Sequence, residues 1–398
     1  MAAHLPADKL AYVDAAAQLG YAPDAGPTWL RPIACQPLAG LCASLSADHF
    51  LPLAGGWTGF THLDVVTGDG QSGFRAWRTD IASYTSASAN QDKAQVALDI
   101  LSQPRPVFAG LDMGRPHIMG VVNVTPDSFS DGGQFDTSDN ALSHARQMGA
   151  DGASLLDIGG ESTRPGAAPV SSDEECARIL PVISALSAEG YLVSADTRHA
   201  QVMERSFNAG AQIINDVSGF TGNGAPQAMA SAYQTNPDQA FAIAMHMQGT
   251  PRTMQDNPVY DFAPIDIYEI LKLHIDTLVS AGLPRTHIAI DPGFGFGKTP
   301  HHNRQLIEWT ALFHGLGVPI LIGVSRKSSI PVLAAQGQGA PLSGYGSDAA
   351  TQRLGGGIVL SVMAAQQGAQ LFRTHDVPQT HQALSVLAGP SSNRFVIT

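Results

Sequence analysis

The chain has 398 residues, 44% of them hydrophobic and 14% charged, with a formal net charge of −12. That composition can bury a large core, and it excludes bulk disorder and a broadly basic nucleic-acid surface, so any cation that matters acts locally. No basic segment leads into an apolar core within residues 1–20, no apolar run reaches the ~18 residues of a membrane span, and Cys35, Cys42 and Cys176 lack metal spacing, which together predict a soluble, cytoplasmic protein with free thiols and no membrane or nucleic-acid partner.

Composition shifts near residue 113. Before it stand three of the four tryptophans, Trp29, Trp57 and Trp77, and no glutamate occurs until Glu161. This stretch predicts a helix near residues 7–19, short strands near 60–66 and 74–78, a polar "SYTSASANQ" loop, and a helix running to about Ser102. "QPRPVFAGLDMGRP" (103–116) has the Pro and Gly content of a linker. The expected division is therefore an N-terminal α+β extension, residues 1–113, and a second unit, residues 114–398.

In the second unit, short runs rich in Val, Ile, Leu and Ala alternate with stretches at helical spacing. The runs lie near 118–124, 153–158, 191–195, 213–214, 241–245, 288–290, 319–324 and 370–372. Eight strand–helix units over about 275 residues suit a (β/α)8 TIM barrel, with a doubly wound sheet as the competing α/β arrangement. Each run ends in a polar group: Asn123, Asp157, Asp196, Asn215 with Asp216, His246, Asp291, Ser325 with Arg326 and Lys327, and Arg373 with His375. Any one of them could be a helix cap. Eight in register point instead to a barrel's C-terminal rim, where such enzymes keep their chemistry.

The rim motifs specify what that chemistry handles. "GVVNVTPDSFSDGG" (120–133) closes an apolar strand on Asn123 and strands Phe129 in a polar loop. "DIGGESTRPGAAP" (157–169) offers hydroxyls, backbone N–H groups and the Arg164 guanidinium, a set suited to phosphate, though a stiffened surface loop has the same composition. "IAIDPGFGFGKT" (288–299) imitates a nucleotide phosphate loop, but Gly293 and Gly297 enclose three residues where that motif needs four, so an NTPase is rejected. Asp291 reads better as a buried carboxylate facing the paired N–H edge of a 2-amino-4-oxo-pyrimidine, with phenylalanine as an apolar wall. "VSRKSS" (324–329) and "FRTHD" (372–376) bring cations and hydroxyls to two adjacent strand ends, Arg373 and His375 sharing a strand face, with a rim salt bridge to Asp376 as the alternative. His246 in "MHMQGTP" fits a satisfied core histidine better than a metal ligand, because no His, Cys or Glu spacing supports it. "RLGGGIVL" (353–360) sets three glycines where a helix is expected, which is locally unfavourable.

These motifs, with "SADT" and "IINDVSG", stand in the order found in dihydropteroate synthases, and the chain resembles that family over about residues 115–388. The resemblance implies a (β/α)8 barrel, a homodimer, and Mg²⁺-dependent joining of 6-hydroxymethyl-7,8-dihydropterin diphosphate to 4-aminobenzoate with release of diphosphate; it also implies a sulfonamide target. It implies Asn123 as the Mg²⁺ and diphosphate ligand, and Asp196, Asn215, Asp291 and Lys327 as pterin contacts. Arg373 resembles the ring-stacking residue and, with His375 and Thr163, the diphosphate holder; Arg164 resembles a loop phosphate contact. Phe129, Pro165, Phe296 and Ser328 resemble the 4-aminobenzoate subsite. Catalytic roles fall to Lys327, Arg373, His375 and Asp196, without a strong general base. Two rivals use the same barrel: a cobalamin-linked pterin methyltransferase, which needs no phosphate loops, and a non-catalytic pterin-binding protein. The extension has no counterpart in the family core and reads as a packing or dimer-supporting appendage.

Overall fold

The computed structural model describes residues 9–13, 28–33, 35–38, 41–42, 45, 49–69, 72–88, 90–124, 134–161, 170–338 and 350–388. Its second half is a parallel barrel. The strands are β8 (His117–Asn123), β9 (Leu155–Gly159), β10 (Val193–Asp196), β11 (Ile213–Asp216), β12 (Phe241–Met245), β13 (Ile288–Asp291), β14 (Leu321–Ile322) and β15 (Leu371–Thr374). They run in the order β13-β12-β11-β10-β9-β8-β15-β14, and a parallel bridge between Ile290 and Ile320 joins the two ends into a closed ring. Closure decides against the doubly wound alternative. Almost every strand residue is buried, which is why the strands read as continuous apolar runs: side chains on one face fill the barrel and those on the other meet the helices.

The helices of this half follow their strands in chain order: α3 (Gln134–Ala150), α4 (Ser172–Ala188), α5 (Ala200–Asn208), α6 (Ala225–Thr235), α7 (Ala263–Ala281), α8 (Pro300–Glu308), α9 (Ser329–Gln338), α10 (Leu354–Gln366) and α11 (Val377–Ala388). Their starts are chemically marked. Ser171 caps α4 through Glu174 N–H, and Thr299 and His302 form a reciprocal cap on α8, with Pro300 at its first position. The three glycines of α10 do not prevent the helix. One of them has a packing reason, since a Cβ on Gly356 would lie 2.3 Å from Cγ2 of Ile330 in α9.

The extension forms β1 (Leu10–Tyr12), β2 (Thr28–Ile33), β3 (Gln36–Pro37), β4 (Leu51–Pro52), β5 (Thr58–Phe60), β6 (His62–Asp69) and β7 (Gly73–Asp80), then α1 (Ile81–Ala87) and α2 (Gln91–Ser102). Two expectations fail here. Residues 10–12, expected within a helix, are a strand pairing parallel with β7, because a long-range partner overrides local spacing. Most of the "SYTSASANQ" loop is helix: Asp80 accepts hydrogen bonds from Ser83 N–H and Oγ–H, and that cap outweighs the Ser and Thr content. Asp64 is fully buried beneath this sheet and gathers Arg31, Arg78 and Tyr12 O–H.

The extension packs directly on the barrel. Trp29, Val66, Phe74 and Ala76 share a core with Phe262, Ile265, Trp309 and Leu312. Arg31 donates to the Glu308 carbonyl at 2.6 Å and stacks over Trp309, while Arg105 donates to the His314 carbonyl at 2.9 Å. The expected linker is a plug. Phe108 and Met113 are fully buried against Met119, Leu155, Ile213, Phe241, Ala289, Leu321 and Leu371, the first residues of seven barrel strands and neighbours of those starts. The N-terminal mouth is thus sealed, leaving the C-terminal rim for chemistry. Among the described residues no helix is long and apolar enough to cross a membrane.

Candidate active site

The barrel brings the rim residues together. At its centre, Arg373 at the end of β15 crosses to the opposite wall. Its Nε donates to Asp157 Oδ2 at 2.6 Å and its Nη2 to Asp196 Oδ2 at 2.7 Å. Asp157 Oδ2 also accepts from Asn215 Nδ2 at 3.0 Å. A planar fork held by two carboxylates is fixed in orientation, and Nη1 keeps no partner among the described residues. The rim salt bridge from Arg373 to Asp376 does not form, because Asp376 pairs with Arg326 at 2.7 Å. Asn215, whose resemblance role is a pterin contact, uses its Nδ2 to orient Asp157.

Glycines leave the floor open. A Cβ on Gly159 would lie 3.6 Å from Asp196 Oδ2 and 3.8 Å from Asn123 Oδ1, so those oxygens flank one small space. A Cβ on Gly323 would lie 3.6 Å from Arg373 Cβ and 3.9 Å from Asp291 Oδ2. Asp291 Oδ1 accepts from Gly293 N–H at 2.7 Å, capping the turn after β13, while Oδ2 takes no hydrogen bond among the described residues. Capping the turn thus accounts for one oxygen of Asp291 and leaves the other without a partner among the described residues.

Electrostatics follow from burial. Desolvation raises the carboxyls of Asp196 and Asp291, against the pull of Arg373 on the first and of the Gly293 N–H and Lys327 on the second. Burial lowers the Lys327 ammonium, and the Arg373 charge lowers it further. Lys327 Nζ lies 3.9 Å over the Phe296 ring, a cation–π contact that joins the loops after β13 and β14. His375 directs Nδ1 at Ser325 Oγ, 3.2 Å away, and burial with Arg373 depresses its pKa to about 3, leaving a neutral imidazole. It follows β15 rather than belonging to it, and Ser325 also accepts from its backbone N–H. Arg326 adopts φ +58°, a strained turn held by Asp376 and by Arg353 on its carbonyl. Ser328 is exposed beside it.

His246 is a core histidine. Lys298 Nζ sits 2.9 Å from its Nδ1 and also donates to the Phe296 carbonyl, so this buried lysine braces two loops and faces no phosphate. Phe129, Thr163, Arg164 and Pro165 lie outside the described residues. Among the described residues no group of three or more His, Cys, Asp or Glu could hold a metal ion. The sequence places Asp157 on the rim without a role of its own, and the 288–299 motif points to Asp291 and its phenylalanines but not to Lys298.

Residues 119–375 match the family described as pterin binding enzyme. The dihydropteroate synthase of Escherichia coli K12 is 41% identical over 280 residues, 70% of this chain and 92% of that protein. That of Neisseria meningitidis serogroup B is 41% identical over 282 residues, 70% and 93%. Among solved structures, Xanthomonas albilineans dihydropteroate synthase with 4-aminobenzoic acid superposes with a TM-score of 0.63 at 41% identity, covering 71% of this chain and 96% of that one. The Xanthomonas albilineans enzyme in complex with 7,8-dihydropteroate gives 0.61 at 38% identity, covering 71% and 97%.

Proposed function

The chain belongs to the pterin-binding enzyme family, as a dihydropteroate synthase, and from that premise we propose how its own residues divide the work. The reaction joins 6-hydroxymethyl-7,8-dihydropterin diphosphate to 4-aminobenzoate, giving 7,8-dihydropteroate and diphosphate for folate synthesis. The observation that carries the assignment of roles is the Asp157–Arg373–Asp196 clamp with the unpartnered oxygen of Asp291 beside it.

Asp291 Oδ2 and Asp196 face the polar edge of the pterin, which arrives with parallel N–H donors, and Lys327 supplies the cation beside them. Arg373 presents a flat face to the ring and Nη1 to the diphosphate. Asn123 Oδ1, which flanks the space at Gly159 with Asp196 Oδ2, is assigned to the leaving group. Asn123 Oδ1 is the protein oxygen this reading gives to Mg²⁺, an ion that commonly keeps water and substrate phosphate oxygens as its other ligands. When bound, Mg²⁺ would neutralise charge on the diphosphate. The C–O bond between the pterin methylene and diphosphate breaks, and the oxygen carries away the electron pair while Arg373, His375 and Thr163 hold the accumulating charge. The arylamine nitrogen then attacks the methylene and gives its proton to solvent or the departing diphosphate. Phe296 and Ser328 are assigned to the arylamine side, and the family resemblance gives Phe129 and Pro165 the same role and Arg164 a phosphate contact. The phosphate-directed residues favour synthase chemistry over the methyltransferase and non-catalytic alternatives.

Residues 114–398 carry catalysis in this proposal and residues 1–113 support the barrel. A homodimer is part of it, as the family resemblance implies; the free thiols of Cys35, Cys42 and Cys176 suit the cytoplasm. The test is to incubate the purified chain with both substrates and Mg²⁺. Dihydropteroate and diphosphate in equal amounts, lost on chelation, are expected. Pterin binding without product would refute the synthase mechanism.

A further inference from the structure

Asn303 has no exposed surface and sits in α8, a helix with no motif of its own. Its Oδ1 accepts from Gly295 N–H at 2.7 Å, and its Nδ2 donates to Ser329 Oγ at 2.8 Å. The amide orientation is fixed, since the backbone N–H of Gly295 can only donate. The two partners belong to different rim loops. Gly295 lies in the loop after β13, next to Phe296; Ser329 opens α9, next to Ser328 and two residues beyond Lys327. These loops meet where Lys327 Nζ stands over the Phe296 ring. Gly295 has φ +84°, and a Cβ there would come within 3.2 Å of Lys327 Cδ, so its peptide runs directly against that side chain. The carbonyl of the same residue, in the peptide to Phe296, accepts from Gln255 Nε2 at 2.8 Å, from the solvent side. One buried amide and one exposed amide thus hold the two peptide bonds that flank Gly295 at the edge of the site.

We infer that Asn303 is a positioning residue for the synthase reaction: it touches neither substrate, but sets the separation between the Phe296 wall and the Lys327–Ser328 turn, and so the width of the arylamine subsite. This rests on the assignment of that subsite under the proposed function. The position needs an acceptor for Gly295 N–H and a polar partner for the Ser329 hydroxyl, which can either accept or donate. Leucine would match the volume but orphan Gly295 N–H and part of Ser329 inside the protein, which loosens the brace. The far end of α8 is anchored to the extension, where Arg31 holds the Glu308 carbonyl.

Three variants test the inference: Asn303→Ala, Asn303→Asp and Gln255→Ala, each with melting temperature, kcat, and KM for both substrates. Asn303→Ala should raise the KM for 4-aminobenzoate about tenfold or more, because small displacements at a reacting site are amplified. Its KM for the pterin diphosphate should move less than about threefold, since Asp291 and Asp196 are anchored elsewhere. Asn303→Asp keeps an acceptor for Gly295 and can accept the Ser329 hydroxyl proton, so it should restore most of the 4-aminobenzoate KM. Gln255→Ala alters only an exposed side chain and should raise the same KM about threefold without changing the fold. A folded Asn303→Ala variant with a lower melting temperature and an unchanged ratio of the two KM values would overturn the inference. If that variant does not fold, an unselective or absent effect in Gln255→Ala overturns it instead. Failure of the proposed function is distinct, because the unaltered protein would then yield no dihydropteroate.

Discussion

Asp157→Asn changes a charge with almost no change of shape. Oδ2 of Asp157 takes both Arg373 Nε and Asn215 Nδ2, while Oδ1 has no partner among the described residues. An asparagine can therefore keep its carbonyl oxygen on both donors and place its NH2 where Oδ1 stands. What disappears is one of the two negative charges beside Arg373. Asp196 feels that loss, because burial raises its carboxyl, Arg373 lowers it, and the charge of Asp157 raises it again. At the few-ångström separation that one guanidinium imposes, two unit charges repel by about 3 kcal/mol at an effective dielectric near 20. Arg373 offsets part of this, so a fall of about one pH unit, or about 1.4 kcal/mol, is expected at Asp196. Removing a cause that raises a carboxyl lets it stay ionised at lower pH. The assay is kcat/KM for the pterin diphosphate from pH 4.5 to 8: the acid limb should move to lower pH by about one unit. Inhibition by diphosphate should strengthen several-fold, since Arg373 keeps one counter-charge fewer. A buried NH2 without an acceptor should lower stability by about 1–3 kcal/mol. An acid limb that stays put or moves to higher pH, in a folded variant, would refute the clamp as an electrostatic unit.

Phe108→Ala should destabilise the protein by about 3–5 kcal/mol in urea unfolding, because the ring is fully buried in the barrel mouth 5.2 Å from Phe241; a loss below about 1 kcal/mol would mean the plug is dispensable. Stability without ligands should fall from pH 7 to pH 5. Burial holds His246 well below its ordinary value, His274 at about 4, and His314 and His375 at about 3. The unfolded chain therefore takes up protons below about pH 6.5 that the folded one refuses, losing up to about 2 kcal/mol per histidine by pH 5. Asp216, raised to about 6, works the other way with Asp196, Asp291, Glu175 and Asp266, adding stability on acidification, but burial also lowers His117 and His144, and the histidines outweigh the carboxyls. A melting temperature that rises on acidification would reverse that balance. Asn123→Ala should weaken calorimetric binding of diphosphate with Mg²⁺ about tenfold and spare the bare pterin; equal losses would place Asn123 on the pterin side.

The barrel was legible because its strands are buried on both faces, so each appears as an unbroken apolar run with a polar end. The convergence of Asp196, Asp291 and Arg373 was legible for the same reason, as charges that end such runs in register. The strand at 10–12 was not, since three residues carry no period and only β7 gives them a partner. The plug was hidden because Phe108 and Met113 sit among Pro and Gly, where apolar residues look incidental. Asn303 and Lys298 could not be found from spacing: a buried polar group on a helix or after a turn looks like a solvated one until its partners, remote in sequence, are placed beside it.

Asp291→Asn tests the pterin pocket most directly, with pterin affinity and thermal stability measured on the same variant. Asparagine can keep its carbonyl oxygen on Gly293 N–H, preserving the cap, and its NH2 then replaces Oδ2 and meets the pterin donor edge with a donor. Loss of a charge-assisted hydrogen bond, about 1.5–3 kcal/mol, together with two unpaired groups, should weaken pterin binding ~10²-fold or more while the melting temperature changes little. Unchanged pterin affinity, with or without a fall in melting temperature, would contradict the placement of the pterin on this carboxylate.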